Sequence, residues 1–193
     1  MNIPRLIPAA LIALTPPTAG AEAVFDATTG LRIGAYRAPV PDRVPGGRVV
    51  DAQAVAGLVA DGALLIDAMA APGHGIAPDG AWIVAEPHDT IPGAHWLPEI
   101  GRGRPDPRIA AGLRASLADC PPTRPIVLFC KTDCWMSWNA VQHVAALGFR
   151  DIGWYPGGVD DWADGGRPLQ SVEPLALGTD LCGMDAAPRS ALD

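Results

Sequence analysis

The chain has 193 residues, enough for one domain with a sizeable core, and its hydrophobic content of 49% and charged content of 18% are typical of globular proteins. A formal net charge of −7 and the lack of any basic cluster argue against a nucleic-acid partner and against direct contact with anionic lipid. The 22 glycines and 21 prolines are unusually many, and they predict long irregular connections.

The first 21 residues have the three parts of a secretory signal peptide. Arg5 is followed by the apolar run LIPAALIAL and then by small residues ending in AGA, which predicts cleavage after Ala21. The alternative is a membrane anchor, but the run is shorter than the roughly 20 residues that a spanning helix needs. We therefore expect an exported protein without membrane contact after signal cleavage, which is periplasmic if the source is a Gram-negative bacterium.

The next segments in chain order are an arm, a helix, a strand and an insertion. Residues 22–47 have little periodicity and several prolines, which predicts an extended N-terminal arm. Asp51 suits the N-cap of a helix that ends near Gly62, and residues 63–67 form a short buried strand. The Pro- and Gly-rich stretch 68–90 is predicted to be an insertion with little regular structure.

Strands and helices alternate along the second half of the chain. The predicted elements are short strands at 81–85 and 125–129, a turn leading to a short strand at 91–98, a strand closing in a glycine turn at 151–158, and helical segments at 107–120, 135–147 and 159–166. Such alternation favours parallel pairing, so the predicted fold class is α/β, an open parallel sheet in one domain with helices on both faces. The tail from Gln170 onward is rich in small residues and is expected to be irregular.

Four cysteines are present, and export makes disulfides an option for them. Three pairings are open for Cys120, Cys130, Cys134 and Cys182. A bridge between Cys120 and Cys182 would tie the tail to the body of the domain. Cys130 and Cys134 would close a small loop at a strand-to-helix turn, as redox-active pairs do.

Four segments, in order, resemble the rhodanese-like (sulfurtransferase) family: ALLIDA, IPGAHWLP, PIVLFC and GWYPGGVDDWADGGRPL. The resemblance covers residues 48–170, leaves 171–193 as a tail, and implies the rhodanese-like open sheet. It places Cys130 at the family's catalytic position, directly after the central strand. It also implies sulfur transfer, with a small sulfur or thiol compound as substrate.

A narrower resemblance rests on residues 130–135, which read CKTDCW. They are similar to the C-x-x-x-C-W signature of an exported rhodanese-like group that is associated with pyrroloquinoline-quinone (PQQ)-dependent alcohol catabolism. The YRAP segment of the arm and HWLPEIGRG add to this similarity. The resemblance implies a periplasmic PQQ-dependent dehydrogenase system as partner. No cofactor is required by the sequence, and copper or PQQ are the candidates.

The loop between the two cysteines carries the predicted chemistry. The N–H groups of this loop, which contains Lys131, Thr132 and Asp133, and the positive end of the helix starting near Trp135 are expected to converge on the Cys130 sulfur and to stabilise a thiolate or persulfide there. Trp135 stands where the family loop has an arginine, and Asp133 adds a negative charge. Because only Lys131 is basic in this loop, we expect weak binding of a dianion such as thiosulfate.

Three hypotheses for the pair remain open. Cys134 attacks a persulfide on Cys130, releases sulfide and leaves a disulfide. Alternatively, both thiolates bind Cu(I) or Zn(II), as in the C-x-x-x-C pair of exported copper chaperones, with a histidine as third ligand. The candidate third ligands, which are otherwise exposed loop residues, are His74, His88 and His95. In the third hypothesis the disulfide is permanent and the protein contacts a partner.

Other side chains are assigned to the site from their order in the sequence. Trp135 and Trp138 share a helix face and, with Trp82 and Trp96, either wall a pocket for a quinone-like ligand or simply fill the core. Two arginines, Arg102 and Arg104, are candidates for the missing positive charge. Asp67 is expected to be a structural acid that supports the loop, and His143 a packing residue.

Overall fold

The computed structural model describes residues 23–84 and 86–186, so the predicted signal peptide lies outside the described residues. The strands are β1 (Arg48–Val49), β2 (Leu64–Asp67), β3 (Gly75–Ile76), β4 (Trp82–Ile83), β5 (His88–Thr90), β6 (His95–Trp96), β7 (Ile126–Phe129), β8 (Ile152–Tyr155) and β9 (Gln170–Val172). The helices are α1 (Ala52–Ala60), α2 (Pro107–Ser116), α3 (Trp135–Ala146), α4 (Gly158–Asp164) and α5 (Leu181–Ala186). None of the helices in these two ranges is long and apolar enough to cross a membrane.

The main sheet has five parallel strands in the order β1-β8-β7-β2-β6, which confirms the predicted α/β fold class. The register aligns the last residues of neighbouring strands, because Phe129 lies opposite both Asp67 and Tyr155. The carboxyl ends therefore meet at one edge of the sheet, where α/β proteins bind ligands. Cys130 follows the central strand β7 at this edge.

Alternating side chains of the strands build one core on each face of the sheet. Leu64 and Ile66 of β2 belong to the face that is covered by α2 and α3, while Leu65 belongs to the face covered by α1 and α4. The same alternation in β7 puts Leu128 on the first face and Phe129 on the second. Both faces of the central strands are thus buried, as is usual for a parallel sheet.

Local sequence sets where the helices begin. The carboxylate of Asp51 accepts a hydrogen bond of 2.8 Å from the Ala54 amide at the start of α1. Asp106 caps α2 in the same way, and Pro107 occupies its first position, where a missing N–H costs nothing. α3 begins at Trp135, so both cysteines of the loop precede the helix.

The tail is more regular than expected, and the insertion contains β3 and β5 besides β4, which lies in the strand predicted at 81–85. Within the insertion, β3 and β4 form a short antiparallel pair, and β5 pairs with β9 of the tail. The expectation of an irregular tail is therefore wrong for β9 and for α5. The physical reason is tertiary: β5 offers a free strand edge, and a disulfide joins Cys182 of α5 to Cys120, with Cα atoms 5.3 Å apart.

Candidate functional site

The candidate site is the five-residue loop from Cys130 to Cys134 that connects β7 to α3. A disulfide joins the two cysteines in the structure. Asp133 has a φ of +55°, a left-handed conformation that Asp tolerates better than most residues, and this turn brings the second cysteine back toward the first. Cys130 is fully buried, whereas Cys134 lines a pocket.

The N-terminal arm adds a strand-like segment to the loop. The amide of Trp135 donates to the carbonyl of Tyr36 at 2.9 Å, and the amide of Ala38 donates to the carbonyl of Asp133 at 3.1 Å. This antiparallel bridge pairs Arg37 with Cys134, and the Arg37 guanidinium also donates to the carbonyl of Thr132. The arm therefore forms one wall of the site.

The start of α4 holds the other side of the loop. The amide of Val159 donates to the carbonyl of Cys130 at 3.0 Å, and the amide of Thr132 donates to the Asp160 carboxylate at 3.2 Å. The expectation that the loop amides converge on the Cys130 sulfur is wrong for Thr132 and for Trp135, because Asp160 and the arm bind them instead. A Cβ on Gly158, whose φ is +56°, would lie 2.4 Å from the Cys130 carbonyl oxygen, so only glycine fits this contact.

A pocket of about 540 Å³ opens beside the disulfide. Its lining is rich in sulfur and in cations and contains no carboxylate. The lining residues are Ala35, Tyr36, Arg37, Met69, Ala70, Pro72, Arg102, Lys131, Cys134 and Met136. Lys131 is thus joined by two arginines that the loop sequence does not contain, and Asp133 is not part of the lining. Arg102, a candidate from its order in the sequence, therefore does line the pocket, whereas Arg37 was not foreseen.

Arg102 is held in place at the pocket by two contacts. Its guanidinium pairs with the buried carboxylate of Glu99 and lies over the ring of Tyr36, 4.7 Å from the centroid. Burial disfavours its charge, but the hydrogen bond and charge of Glu99 outweigh burial and raise the pKa of Arg102 above its usual value. Arg102 therefore stays cationic.

Arg104, the other arginine proposed from sequence order, lies elsewhere. Its exposed side chain donates to the Asp26 carboxylate at 2.7 and 2.9 Å. The hydrogen bond from the Thr29 amide and then the one from Arg104 lower the pKa of Asp26 to about 2. Arg104 thus holds the beginning of the arm and does not line the pocket. The prediction that Arg104 supplies positive charge beside the cysteines is therefore wrong.

Met69 covers the Cys130 sulfur, with its Sδ atom 3.6 Å from Cys130 Sγ. Both backbone groups of Met69 are bound: the amide donates to Asp67 at 2.8 Å, and the carbonyl accepts from the Trp96 indole at 2.9 Å. Met69, Tyr36 and Ala70 pack against a small buried cluster of Cys130, Cys134 and Met136.

Asp67 is fully buried at the end of β2 and holds the backbone of Met69 in place. Besides the Met69 amide, its carboxylate accepts a hydrogen bond of 2.6 Å from the Thr90 hydroxyl and one of 2.7 Å from Nε2 of His88. It does not contact either cysteine directly through any of these bonds. Asp67 is a positioning residue that acts through Met69.

The tryptophans do not form a shared wall. The rings of Trp135 and Trp138 meet at 5.0 Å, but Trp82 packs against His74 and Trp96 packs against His88. The hypothesis of four tryptophans around one ligand is therefore wrong. The packing of distant elements gives Trp82 and Trp96 different ring partners from Trp135 and Trp138, and local sequence does not determine that packing.

Trp135 faces the arm instead. The guanidinium of Arg32 stacks on its ring at 4.8 Å and on Phe25 at 4.9 Å, and the indole N–H of Trp135 is buried without a hydrogen-bond partner. Asn139 of α3 holds the backbone of Arg32 through bonds of 3.0 and 2.8 Å. Trp135 therefore anchors the arm at the position where the family loop has an arginine.

The expected third metal ligands do not reach the cysteines. His74 bonds to the Ala71 carbonyl and His88 to Asp67, and both are half-buried rather than exposed. Between residues 23 and 186, leaving out residue 85, no group of three His, Cys, Asp or Glu side chains could hold a metal ion. His143 is half-buried on α3 and bonds to the Arg102 carbonyl.

Sequence reasoning missed the two walls of the pocket that come from distant segments. Tyr36 and Arg37 belong to the YRAP segment, which drew attention only as part of a resemblance. Met69 lies in the insertion directly after Asp67. The signal that was available is weak: a tyrosine and an arginine adjoin in an otherwise Pro-rich arm, and a methionine follows the end of a buried strand.

The rhodanese-like domain model matches residues 51–164. No significant match is found among curated proteins. Among solved structures, the chain is similar to a full-length protein from Lactobacillus plantarum, with 17% identity, a TM-score of 0.43, and coverage of 64% of this chain and 88% of that one.

Two further structures are similar at the same low level. One is a thiosulfate sulfurtransferase from Pseudomonas aeruginosa, with 15% identity, a TM-score of 0.42, and 66% and 21% of the two chains covered. The other is an EanB variant in complex with hercynine, with 18% identity, a TM-score of 0.48, and coverage of 75% and 36%. The chain spans well under half of both. The family model, by contrast, covers more than half of this chain, and the chain belongs to the rhodanese-like domain family.

Proposed function

We propose that this protein is an exported rhodanese-like protein of PQQ-dependent alcohol catabolism and that it handles sulfur or thiols through Cys130 and Cys134. The observation that carries the proposal is the site itself: a cysteine pair at the end of the central strand, with Cys134 on a cation-lined pocket. The signal-peptide pattern and the CKTDCW signature support export to the periplasm and the association with a PQQ-dependent dehydrogenase system.

The chemistry starts from the reduced pair. The Cys130 thiolate attacks the outer sulfur of a sulfane donor, which leaves as its desulfurated anion, and a persulfide forms on Cys130. The thiolate of Cys134 then attacks the inner sulfur of this persulfide. A Cys130–Cys134 disulfide forms and the outer sulfur leaves as hydrosulfide, so the two cysteines supply the two electrons that reduce the sulfane sulfur.

The pocket suits the step that resets the pair. An incoming thiolate attacks Cys134, the sulfur that faces the pocket, and Cys130 leaves as a thiolate. A second small thiol then attacks the first one in its mixed disulfide with Cys134, and Cys134 leaves as a thiolate. Two small thiols are thus joined as a disulfide for each cysteine pair that is reduced. The N-terminus of α3 beside Cys134, and the cations Arg37, Arg102 and Lys131, favour anionic partners here.

Intact-mass analysis with a thiosulfate or thiol-persulfide donor tests the proposal. Cys134→Ser is expected to retain a species about 32 Da heavier, one sulfur atom, on Cys130. The reduced wild type is expected to release sulfide and to return to the disulfide, and Cys130→Ser to do neither. A reduced wild type that keeps both thiols and releases no sulfide with either donor rejects the proposal.

A second candidate function is that of an accessory protein that binds the quinone. PQQ is an aromatic quinone with several carboxylates, and the pocket offers three cations and the Tyr36 ring without any lining carboxylate. Equilibrium dialysis of PQQ against the oxidised protein measures this. Arg102→Gln is expected to weaken binding and Arg104→Gln, outside the pocket, to leave it unchanged; equal effects or no binding reject this function.

A further inference from the structure

Sulfur atoms of four side chains gather at one point of the molecule. Two of the four methionines of the chain, Met69 and Met136, pack with Cys130 and Cys134. We propose that the reduced cysteine pair and the Met69 thioether form a Cu(I) site with three sulfur ligands. This site is independent of sulfur transfer, although both use the same thiols.

The position of Met69 fits that role. Two sulfur ligands of one metal ion, each about 2.3 Å from it, lie roughly 4 Å apart. The Sδ atom of Met69 already lies 3.6 Å from Cys130 Sγ, and the two cysteines are close enough to be bonded to each other. Only small shifts of three sulfur atoms are therefore needed once the disulfide is reduced.

The backbone holds Met69 there before any ion arrives. Its amide is bound by the buried Asp67 carboxylate and its carbonyl by the Trp96 indole. The backbone of Met69 is therefore ordered before the metal binds. Preorganised ligands lose less entropy on binding, and this raises the affinity. The fully buried Cys130 also keeps water away from the ion.

The donor set favours Cu(I) over Zn(II). Thiolate and thioether sulfurs are soft ligands that select Cu(I). Zn(II) takes four ligands in structural sites, and the described residues supply no third His, Cys, Asp or Glu to the pair. Two thiolates and one Cu(I) carry a net charge of −1, which Arg37 and Lys131 of the pocket stabilise, while the charge of Arg102 is already paired with Glu99.

Formation of the site is balanced as follows. Two thiols of a small reductant convert the Cys130–Cys134 disulfide to two cysteine thiols and are themselves joined as a disulfide. Cu(I) then displaces two protons from the cysteines and forms two thiolate bonds, while the Met69 thioether binds as a neutral ligand. The copper keeps its oxidation state throughout.

The test is a competition under anaerobic conditions between the reduced mature protein and a chromophoric Cu(I) chelator. The wild type is expected to take one Cu(I) and to take no Zn(II) in a parallel titration. Met69→Leu, which conserves volume, is expected to lose at least the roughly tenfold affinity that even an outer partner of a metal site contributes. The control Met184→Leu alters an exposed methionine of α5 and is expected to match the wild type.

Each alternative outcome overturns a stated part of the proposal. No Cu(I) uptake by the reduced wild type rejects the site, whatever the sulfide assay shows. Wild-type affinity in Met69→Leu, with an unchanged circular dichroism spectrum, rejects Met69 as a ligand. A larger loss of Cu(I) affinity in Met136→Leu than in Met69→Leu shows that Met136, and not Met69, is the third ligand. Sulfide release without copper binding, or copper binding without sulfide release, separates this proposal from the proposed function.

Discussion

Asp67 gives the sharpest test of how the site is held together, because two substitutions separate charge from geometry. In Asp67→Asn, the side-chain oxygen can keep only one of the two acceptor positions. The Met69 amide can only donate, whereas the Thr90 hydroxyl and the His88 imidazole can each also accept. The oxygen is therefore expected to face Met69, with the new NH₂ group donating to the other two.

The magnitudes follow from the three hydrogen bonds to Asp67. Bonds to a charged group contribute about 1.5–3 kcal/mol each and neutral ones about 0.5–1.5. Asp67→Asn turns charged bonds into neutral ones and is expected to lower the free energy of unfolding by about 2 kcal/mol. Asp67→Ala leaves three donors without this partner, one of them buried and two on half-buried residues, and is expected to cost about 4 kcal/mol or more.

Urea unfolding with the Cys120–Cys182 disulfide intact measures both costs, provided that the slope m is unchanged. A second readout is the rate at which a small thiol reduces Cys130–Cys134. Asp67→Ala frees Met69 and is expected to speed reduction several-fold, while Asp67→Asn keeps Met69 in place and the rate near that of the wild type. Equal stability losses, or equal reduction rates, in the two variants would refute the reasoning.

Three further predictions concern the supports around the site. Replacing both Cys120 and Cys182 by Ser opens a link across 62 residues of sequence and is expected to cost about 4 kcal/mol by chain entropy, measured by urea unfolding. Gly158→Ala forces a Cβ against the Cys130 carbonyl and is expected to cost more than about 2 kcal/mol, whereas an effect below 0.5 kcal/mol, typical of surface changes, would contradict the contact. Because the pKa of Asp26 is lowered, its carboxylate contributes fully to the free energy of unfolding above pH 3.8, and this contribution is lost as pH falls toward about 2. Unfolding at a series of pH values should thus show a smaller loss over that window for Asp26→Asn than for the wild type, and parallel curves would contradict the assignment.

The parts of the fold that could be predicted are those that short-range patterns determine. The N-cap at Asp51, the buried runs that became β2 and β7, and the helix beginning directly after Cys134 all follow from local sequence. Pairing between distant segments could not be read in this way. The β5–β9 pair joins residues about eighty positions apart. In neither segment do apolar and polar residues alternate strongly enough to predict a strand.

The candidate site divides along the same line. Cys130 and Cys134 could be located because they follow a recognisable strand, and the composition of the loop was visible. Its electrostatics were only partly visible: Arg102, 28 residues before Cys130, was a candidate, but nothing pointed to Arg37, which lies 93 residues before Cys130. Counting charges within a loop fails wherever other segments complete the pocket.

The arm explains why this site departs from the family pattern. Trp135 cannot supply the charge of the arginine it replaces, but its ring and its amide bind Arg32 and Tyr36 and so dock the arm against the loop. The docked arm then delivers Arg37 to the pocket beside Cys134. Trp135 thus anchors a segment that brings its own positive charge to the pocket. Because this segment lies before the matched range 51–164, the family domain alone does not contain the complete pocket. The proposed sulfur chemistry at Cys130 and the proposed preference for anions at Cys134 therefore depend on two different parts of the chain.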